Sequence, residues 1–290
     1  MSCLEKKFLI GSGLAGLAKA AEATQAPWAE QLDQVRMMDL GLRGLKALVT
    51  GGTRGIGRAI AETLAAEGCD VAICARNSKD VAATVATLAT RGVKATGAAV
   101  DVSDGPMLKA WVAESGAALH GLDIIVANVS AMAVSDDEEG WSKGFCTDMM
   151  GAVRLVDAAM PFLLASKAAA IVTISSVSAR EVDPDTGPYG VFKAALVHYT
   201  QGLAQKLAAQ GVRANTVSPG TTYFEGGIWS QIRDGDPALY QMALDLNPTG
   251  RMGTPQEIAN AAVFLASPAA SFISGANLVV DGALTRGVQL

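Results

Sequence analysis

Cysteine and histidine are scarce in this chain of 290 residues, which contains four cysteines and two histidines. Apart from Cys69 and Cys74 the cysteines lie far apart, and no pair has the CxxC spacing. Because His120 and His198 are the only two imidazoles, no zinc-ligand spacing can be assembled, and we predict no metal site. A disulfide framework is disfavoured in a chain of this size, so we expect a reducing, cytoplasmic environment.

Clusters of basic residues and long apolar runs are also missing. The formal net charge is −5, and the lysines and arginines are scattered along the sequence. A nucleic-acid site normally needs a basic stripe and a polybasic membrane anchor needs a basic cluster, so both are disfavoured. No segment reaches the roughly 18 consecutive apolar residues of a membrane-spanning helix. We therefore expect no nucleic-acid partner and no membrane association.

Hydrophobic residues, by contrast, make up 50% of the chain, whereas charged residues make up 18%. This composition excludes a disordered or collagen-like chain, which would be poor in large aliphatic residues or strictly periodic in glycine. The length fits one large α/β domain as well as it fits two smaller domains. The apolar content is sufficient for a single core.

Residues 1–37 differ from the rest of the sequence. Two lysines precede an apolar run over Phe8–Ala18, which is the outline of a signal peptide. Glu5 counts against this interpretation because it reduces the positive charge of the start, and the following chain has a cytosolic character. We therefore interpret residues 1–37 as an N-terminal extension outside the native fold, or as the product of an upstream start codon with translation beginning at Met37 or Met38.

From Met38 onward, short apolar segments alternate with segments of helical periodicity. Leu45–Thr50 is an apolar run, and Ile56–Glu67 carries a helical period closed by Gly68. Strands that are apolar throughout indicate a parallel sheet buried on both faces, and right-handed crossovers then produce a doubly wound, Rossmann-like layer. We predict a single α/β domain over residues 38–290, with a central parallel sheet of about seven strands and helices on both faces. The other predicted strands are Asp70–Ala75, Lys94–Val100, Asp123–Ala127, Ala170–Ser175, Arg213–Val217 and Asn277–Val280, and the other predicted helices are Lys79–Arg91, Met107–Leu119, Asp148–Ala165, Tyr189–Ala209 and Pro255–Ala266.

A glycine cluster in the segment Thr50–Gly57 joins the first predicted strand to the first predicted helix. A tight turn there needs the positive φ angles that glycine adopts, and positions without a Cβ let backbone N–H groups approach a pyrophosphate at the helix N-terminus. Such a turn alone is a weak indicator, but between a strand and a helix that open a βαβ unit it indicates a nucleotide site. The residues assigned to this site are Gly51, Thr53, Arg54, Gly55, Ile56 and Gly57.

The glycine spacing TGxxxGxG and several later motifs resemble the short-chain dehydrogenase/reductase family, in particular its 3-oxoacyl-ACP reductase-like members. Asn128 occupies the position of an asparagine in the family's NNAG segment, and Tyr189 and Lys193 match its YxxxK pair. The resemblance covers about residues 40–287. It implies an oxidoreductase of carbonyl groups that uses a nicotinamide dinucleotide and forms dimers or tetramers. The further matching segments are Asp101, Ser176, Pro219–Gly220, Gly250–Pro255 and Leu278–Gly282.

Ser176, Tyr189 and Lys193 form a chemically reasonable catalytic group. Tyr189 and Lys193 are four residues apart and so share one helix face. An isolated tyrosine is too weakly acidic to ionise at neutral pH, but a nearby ammonium favours its phenolate. Ser176 follows the carboxyl end of a predicted strand, where open α/β sheets bind ligands. We predict that Tyr189 protonates the carbonyl oxygen that Ser176 holds as hydride arrives, while Lys193 tunes Tyr189 and, as the family implies, holds the nicotinamide ribose.

Two departures from the family pattern lie near this group. Where relatives carry a catalytic asparagine, thought to hold through its backbone carbonyl a water that links the lysine to solvent, this sequence has Asp148. An aspartate keeps the carbonyl but adds a negative charge, which would stabilise the Lys193 ammonium and offset its effect on Tyr189. We expect activity to survive, with a higher pH optimum for oxidation. The second departure is Val129-Ser130 in place of Ala-Gly, which we expect to tighten the backbone beside the cofactor.

Positive charge after the second predicted strand favours NADP(H) over NAD(H). NAD-binding proteins usually place an acidic residue at that strand end to bind the ribose 2′-hydroxyl, and here the position is Ala75. Arg76 follows it and Arg54 lies in the glycine loop, so two guanidiniums can pair with a 2′-phosphate, and we expect no carboxylate there to repel it. The other candidate cofactor-binding residues are Asn77, Asp101, Val102, Asn128, Tyr189, Lys193, Pro219, Gly220, Thr221 and Thr222.

Residues 221–249 are the longest stretch predicted to be irregular. Because they follow Pro219-Gly220, we predict that residues 221–252 form a mobile lid on the substrate side. Aromatic residues such as Phe224 and Trp229 are equally consistent with an apolar substrate and with packing of a short helix against the core. The turn Arg180–Asp183 is a candidate for another wall of the substrate site.

Two classes of function remain open. The favoured one is an NADPH-dependent carbonyl reductase that acts on a ketone or a 3-oxoacyl thioester as its small-molecule substrate. The alternative is a non-catalytic dinucleotide-binding protein that uses the cofactor as a structural or redox-sensing ligand. Ser176, Tyr189 and Lys193 favour catalysis, whereas Asp148 keeps the alternative open. The apolar C-terminal run through Val280 suits a buried interface, so we expect a homo-oligomer, either a dimer or a tetramer.

Overall fold

The computed structural model describes residues 38–182 and 186–288. The interpretation of residues 1–37 therefore concerns a segment outside the described residues, as does the end of the predicted Arg180–Asp183 turn. Strands and helices alternate along the described chain. The strands are β1 (Lys46–Thr50), β2 (Asp70–Ala75), β3 (Ala95–Ala99), β4 (Ile124–Ala127), β5 (Ala170–Ile174), β6 (Arg213–Pro219) and β7 (Asn277–Val280). The helices are α1 (Gly55–Ala66), α2 (Ser78–Ala89), α3 (Gly105–Leu119), α4 (Glu138–Gly144), α5 (Met150–Leu163), α6 (Pro188–Leu207), α7 (Ile228–Gly235), α8 (Pro237–Leu246) and α9 (Pro255–Ala266).

The strands form one parallel sheet of seven, in the order β3-β2-β1-β4-β5-β6-β7. This is the doubly wound arrangement, and it confirms the α/β, Rossmann-like fold predicted from the alternating segments. The strand order reverses between β1 and β4, whose residues Val49 and Val126 are paired. Crossovers leave β1 and β4 in opposite directions, so a crevice opens at the carboxyl ends of these two strands.

Helices cover both faces of the sheet. Successive strand residues point to opposite faces, and Val49 and Leu48 of β1 accordingly belong to different core clusters. One cluster joins the sheet to α1, α2 and α9, for example through Leu64, and the other joins it to α3, α5 and α6, for example through Leu155. Burial on both faces explains why these strands are apolar throughout.

Two predicted elements are wrong at specific places. The helix predicted to start at Asp148 begins at Met150, as α5. It is preceded by α4 and by a single π-helical turn over Phe145–Met149, and this turn contains Asp148. Residues 221–249 are not irregular, because they contain α7 and α8. The start of α8 has a local signal, since the Asp236 side chain accepts a hydrogen bond from the Leu239 amide and Pro237 occupies the first turn. Smaller differences concern the ends of two strands. β5 ends at Ile174, one residue before its predicted end, and β6 continues to Pro219, two residues beyond its predicted end.

Cys69 and Cys74 belong to the core. Both side chains are fully buried, and burial raises the pKa of each thiol to about 12. Because the thiolate is the reactive form, these cysteines are packing residues at neutral pH. Within residues 38–182 and 186–288, no helix combines the length and the apolar character needed to cross a bilayer.

Arg213 fastens the end of α9 to the sheet. Its guanidinium donates to the carbonyl oxygens of Leu265 at 2.6 Å, Ala266 at 3.0 Å and Ser267 at 3.0 Å. The last carbonyls of a helix have no partner within the helix, so this side chain satisfies acceptors that would otherwise be left without one. Arg213 starts β6, the strand that leads to the Pro219-Gly220 segment.

We expect Arg213→Leu to lower the free energy of unfolding by about 3 kcal/mol, because it removes charged hydrogen bonds and leaves half-buried carbonyls without donors. Urea unfolding followed by circular dichroism measures this change. Arg91→Leu, at an exposed position, is the matched control and should change stability by less than about 0.5 kcal/mol. Equal losses in the two variants would contradict the proposed fastening of α9.

Candidate functional site

Most of the residues predicted for the site lie together in the wall of one cavity of about 1000 Å³. The cavity opens at the carboxyl edge of the sheet. Asp148 lies behind its wall against Lys193, and the Thr221 hydroxyl is buried without a hydrogen-bond partner among the described residues. The predicted residues that line the cavity are Gly51, Thr53, Arg54, Gly55, Ile56, Gly57, Arg76, Asn77, Asp101, Val102, Asn128, Ser176, Tyr189, Lys193, Pro219, Gly220 and Thr222.

The N-terminus of α1 lines this cavity, and no side chain caps it within the described residues. A Cβ on Gly57 would lie 2.3 Å from the Gly51 carbonyl oxygen, so the turn closes only with glycine there. In the described part of the chain no side chain caps α1 at Arg54, whereas Asn77 caps α2 and Asp104 caps α3. The first amide groups of α1 therefore face the cavity without a side-chain acceptor, which fits the pyrophosphate of a dinucleotide.

Thr50 and Asn128 hold the glycine turn against β4. The Thr50 hydroxyl accepts a hydrogen bond from the Asn128 amide at 3.0 Å and donates to the Val126 carbonyl at 3.2 Å. The Asn128 side chain donates to the Thr50 carbonyl at 3.0 Å. These bonds span the crevice between β1 and β4 and fix the start of the turn. The role of Thr50 is not apparent from the sequence, although its position at the end of β1 is a usable signal.

Arg54 and Arg76 are exposed, and both line the cavity. The side chain of Asn77 is already engaged, because it accepts hydrogen bonds from the Lys79 amide at 2.9 Å and the Asp80 amide at 3.3 Å. The expectation that no carboxylate lies near Arg76 is wrong, since the charge of Arg76 acts on the Asp101 carboxylate, and Asp80 also lines the cavity. The first turn of α2 brings it there, one turn beyond the strand end on which the sequence argument relied.

Asp101 shapes the neighbouring wall. Its carboxylate accepts hydrogen bonds from the Ser103 hydroxyl at 2.7 Å and the Ser103 amide at 2.9 Å. These bonds, together with the positive charge of Arg76, hold the pKa of Asp101 below its ordinary value. Arg154 supports the same loop by donating to the Ser103 carbonyl at 2.7 Å. Asp101 is therefore charged at neutral pH and held in one orientation beside Val102.

Ser176 and Tyr189 reach the cavity from two adjoining segments. Ser176 follows the end of β5 and is only 8% exposed, and its hydroxyl accepts a hydrogen bond from the Ser178 amide at 3.1 Å. Tyr189 lies in the first turn of α6, after Gly187, whose φ of 47° belongs to the left-handed region. A Cβ on Gly187 would lie 2.5 Å from the Val134 carbonyl oxygen, so glycine permits the close approach that starts α6.

Lys193 lies one turn further along α6, and its side chain is 2% exposed. Its Nζ donates to the Ile174 carbonyl at 3.1 Å and lies 3.4 Å from Asp148 Oδ1. The same nitrogen lies 5.5 Å from the centre of the Tyr189 ring. A buried ammonium must have such partners, because it has lost its hydration. The arrangement keeps a positive charge beside Tyr189.

Asp148 is 3% exposed and is carried by the π-helical turn. Besides contacting Lys193, its carboxylate accepts hydrogen bonds from the Ser130 hydroxyl at 2.5 Å and the Ala131 amide at 2.7 Å. Single π-helical turns within α-helices occur frequently at functional sites. The sequence singled out both Asp148 and Ser130 as departures from the family pattern but did not show that they contact each other.

The segment predicted as a lid covers the glycine turn. A Cβ on Gly55 would lie 2.6 Å from the ring of Phe224, so this ring packs directly on the turn. Phe224 and Trp229 line the cavity, whereas the rings of Tyr223 and Tyr240 pack against each other with centres 6.2 Å apart. The aromatic residues of this segment thus divide between the cavity wall and internal packing, and the contact of Phe224 with the turn is not predictable from local spacing.

Comparison with known proteins agrees with this geometry. A family model described as enoyl-(acyl carrier protein) reductase matches residues 51–285. Isoepoxydon dehydrogenase patN of Penicillium expansum is 38% identical over 257 residues, covering 87% of this chain and 99% of that protein. The 3-oxoacyl-[acyl-carrier-protein] reductase FabG of Vibrio harveyi is 33% identical over 251 residues, covering 84% of this chain and 99% of that protein.

Comparison of the fold with solved structures leads to the same family. The crystal structure of a short-chain dehydrogenase from Burkholderia cenocepacia in complex with NADP superposes with a TM-score of 0.77 at 31% identity, covering 84% of this chain and 99% of that one. Sequence and fold thus agree over nearly the whole length of these relatives. The chain belongs to the short-chain dehydrogenase/reductase family and is an NAD(P)-dependent oxidoreductase of that family.

Proposed function

We propose that this protein is an NADPH-dependent carbonyl reductase that converts a ketone or a 3-oxoacyl thioester into a secondary alcohol. One observation carries the proposal: Ser176, Tyr189 and Lys193 share a cavity with the N-terminus of α1, which no side chain caps within the described residues. A proton donor and a dinucleotide-binding turn thereby face the same space. NADPH supplies the hydride when it is bound, and the protein supplies the proton and the orientation.

Tyr189 is the proposed acid. Its hydroxyl gives a proton to the carbonyl oxygen of the substrate, which the Ser176 hydroxyl orients by a hydrogen bond. The Lys193 ammonium, 5.5 Å from the centre of the Tyr189 ring, favours the phenolate that results. In the oxidation direction the same phenolate accepts the proton of the alcohol. Both directions therefore depend on the charge around Lys193.

Preference for NADP(H) is proposed from two arginines, one at the start of α1 and one just before α2. Arg54 and Arg76 line the cavity and can pair with a 2′-phosphate in the forked geometry of guanidinium groups. The Asp101 carboxylate is held by Ser103 and so does not take the place of an acceptor for the ribose 2′-hydroxyl. The Burkholderia cenocepacia relative, whose structure contains NADP, supports the proposal.

A ketone substrate is proposed from further residues that line the cavity. Met132, Ile228 and Trp229 line it with apolar surface, and Gln231 adds a polar group. The relatives named as an isoepoxydon dehydrogenase and a 3-oxoacyl-[acyl-carrier-protein] reductase support a substrate in which alcohol and ketone interconvert. The homo-oligomeric state and the cytoplasmic location stay predictions.

We expect Tyr189→Phe to lower kcat/KM for NADPH-driven ketone reduction at least about 1000-fold, because the proton donor is lost while the cavity keeps its shape. NADPH absorbance in the presence of a panel of ketones and 3-oxoacyl thioesters measures the rate. Tyr199→Phe, on the same helix, is the control. Burial raises the pKa of Tyr199 to about 12, and loss of the Tyr199 hydroxyl should leave the rate within about twofold of the parent. A parent protein that binds NADPH but oxidises none with any substrate would favour the non-catalytic alternative.

We expect Arg76→Asp to reverse the ratio of kcat/KM with NADPH to kcat/KM with NADH, because a carboxylate repels the 2′-phosphate and can accept from a 2′-hydroxyl. Initial rates with each cofactor at fixed ketone concentration give the ratio. Lys79→Asp makes the same charge change at an exposed position that does not line the cavity, and it should leave the ratio within about twofold. The assignment of Arg76 fails if both variants change the ratio equally.

A further inference from the structure

The two departures from the family pattern meet in space. Ser130, in the loop after β4, donates to Asp148 Oδ1 at 2.5 Å, and the next residue, Ala131, donates its amide to Oδ2 at 2.7 Å. Lys193 Nζ lies 3.4 Å from the same Oδ1. Three donors from two segments of the chain thus surround one buried carboxylate.

The proton of the Ser130 hydroxyl has a defined direction. The hydroxyl oxygen accepts a hydrogen bond from the Met132 amide at 3.1 Å, so its own hydrogen is free to point at Asp148. The Ala131 amide and the Lys193 ammonium can only donate. Only a side chain with two acceptor oxygens satisfies all three groups. An asparagine at position 148 would turn its NH₂ either toward the Ala131 amide or toward Lys193. In each arrangement the NH₂, which can only donate, would face another hydrogen-bond donor.

The same hydrogen bonds hold a strained turn in the wall of the cavity. Met132 has a φ of 49°, in the left-handed region that non-glycine residues rarely adopt, and it lines the cavity. Such a conformation is strained and persists where the surroundings enforce it. Ser130 accepts from the Met132 amide and Asp148 accepts from the Ala131 amide, so these two side chains maintain the turn.

We propose that Ser130 and Asp148 act as one positioning unit. Ser130 orients the Asp148 carboxylate as the counter-charge of Lys193, and their joint hydrogen bonds fix the Ala131–Met132 turn as a wall of the substrate site. The inference rests on the proposed function for its catalytic consequence, since Tyr189 is the group that experiences the net charge around Lys193. The hydrogen-bond unit itself exists in the free protein.

The charges around Lys193 determine whether Asp148 raises or lowers the pH at which alcohol oxidation sets in. In the described part of the chain, the titratable groups that face it are Asp148 from the π-helical turn and Tyr189 from α6, while β5 presents the neutral Ile174 carbonyl. Lys143 of α4 lines the same cavity and is paired with Glu139 at 2.5 Å. The Asp148 carboxylate offsets the positive charge beside Tyr189, so a variant that lacks this carboxylate should oxidise alcohols at lower pH.

The experiment compares the full-length parent with Asp148→Asn, Ser130→Ala, the double variant and Ser130→Thr. In Asp148→Asn we expect the rising limb of the pH profile of kcat/KM for alcohol oxidation with NADP⁺ to move to lower pH by about one unit. Ser130→Ala should move it in the same direction by less, because an unanchored carboxylate turns away from Lys193. The double variant should match Asp148→Asn, since Ser130 acts through Asp148, and Ser130→Thr, which keeps the hydroxyl, should match the parent.

Hydrogen exchange in the free protein supplies a second measurement. We expect about tenfold faster exchange of the Met132 amide in Ser130→Ala, because that variant removes the acceptor of this amide. We also expect faster exchange of the Ala131 amide in Asp148→Asn, because an asparagine has one acceptor oxygen and cannot serve the Ala131 amide and Lys193 together. Ser115→Ala, a buried serine of α3 remote from the cavity, is the matched control and should change neither the exchange nor the pH profile.

The outcomes separate the two proposals. A parent protein that oxidises no alcohol and reduces no ketone overturns the proposed function, while the exchange rates still decide whether the unit exists. An active parent whose pH profile coincides with those of Asp148→Asn and Ser130→Ala overturns the counter-charge role. Unchanged exchange at Ala131 and Met132 in both variants overturns the positioning unit itself.

Discussion

The burial of the Lys193 ammonium is the constraint on which the site depends. A charge that is 2% exposed needs compensation from the protein, and here the partners come from separate segments. Ile174 contributes a carbonyl at the end of β5, and Asp148 contributes a carboxylate from the π-helical turn. Through Asp148 the same charge is connected to the Ser130 hydroxyl and to the loop after β4. Satisfying one buried ammonium thus fixes the relative positions of β5, α6, the π-helical turn and this loop.

The parallel sheet explains why these segments can meet. All seven strands present their carboxyl ends at one edge, and the reversal of strand order opens a crevice between β1 and β4. Thr50 and Asn128 bridge that crevice and hold the glycine turn, while Ser176 follows β5 at the same edge. A cavity lined at one end by the N-terminus of α1 and at the other by Tyr189 follows from the sheet itself.

Agreement between the predicted and observed elements depends on how local their causes are. The strand Asp70–Ala75 and the helix Pro255–Ala266 agree at both ends, because apolar runs and capping residues act within a few positions. The π-helical turn at Asp148 has no comparable local signal, since it accompanies contacts of the carboxylate with distant groups. Helices α7 and α8, in the segment predicted to form a lid, are short, and Arg233 of α7 pairs with Glu225 just before that helix. The sequence argument on the cofactor did not include Asp80, which lines the cavity from the first turn of α2.

The sequence by itself determined the alternating α/β pattern, the glycine turn and the placement of Tyr189 and Lys193 on one helix face, because each depends on spacing within a strand, a turn or a helix. The structure decided what surrounds Asp148. Ser130 and Asp148 are 18 positions apart, and the Phe224 ring packs on Gly55 although the two residues are far apart in the sequence. Such contacts depend on how whole elements pack against the sheet, and packing is a property of the folded chain, not of any local segment.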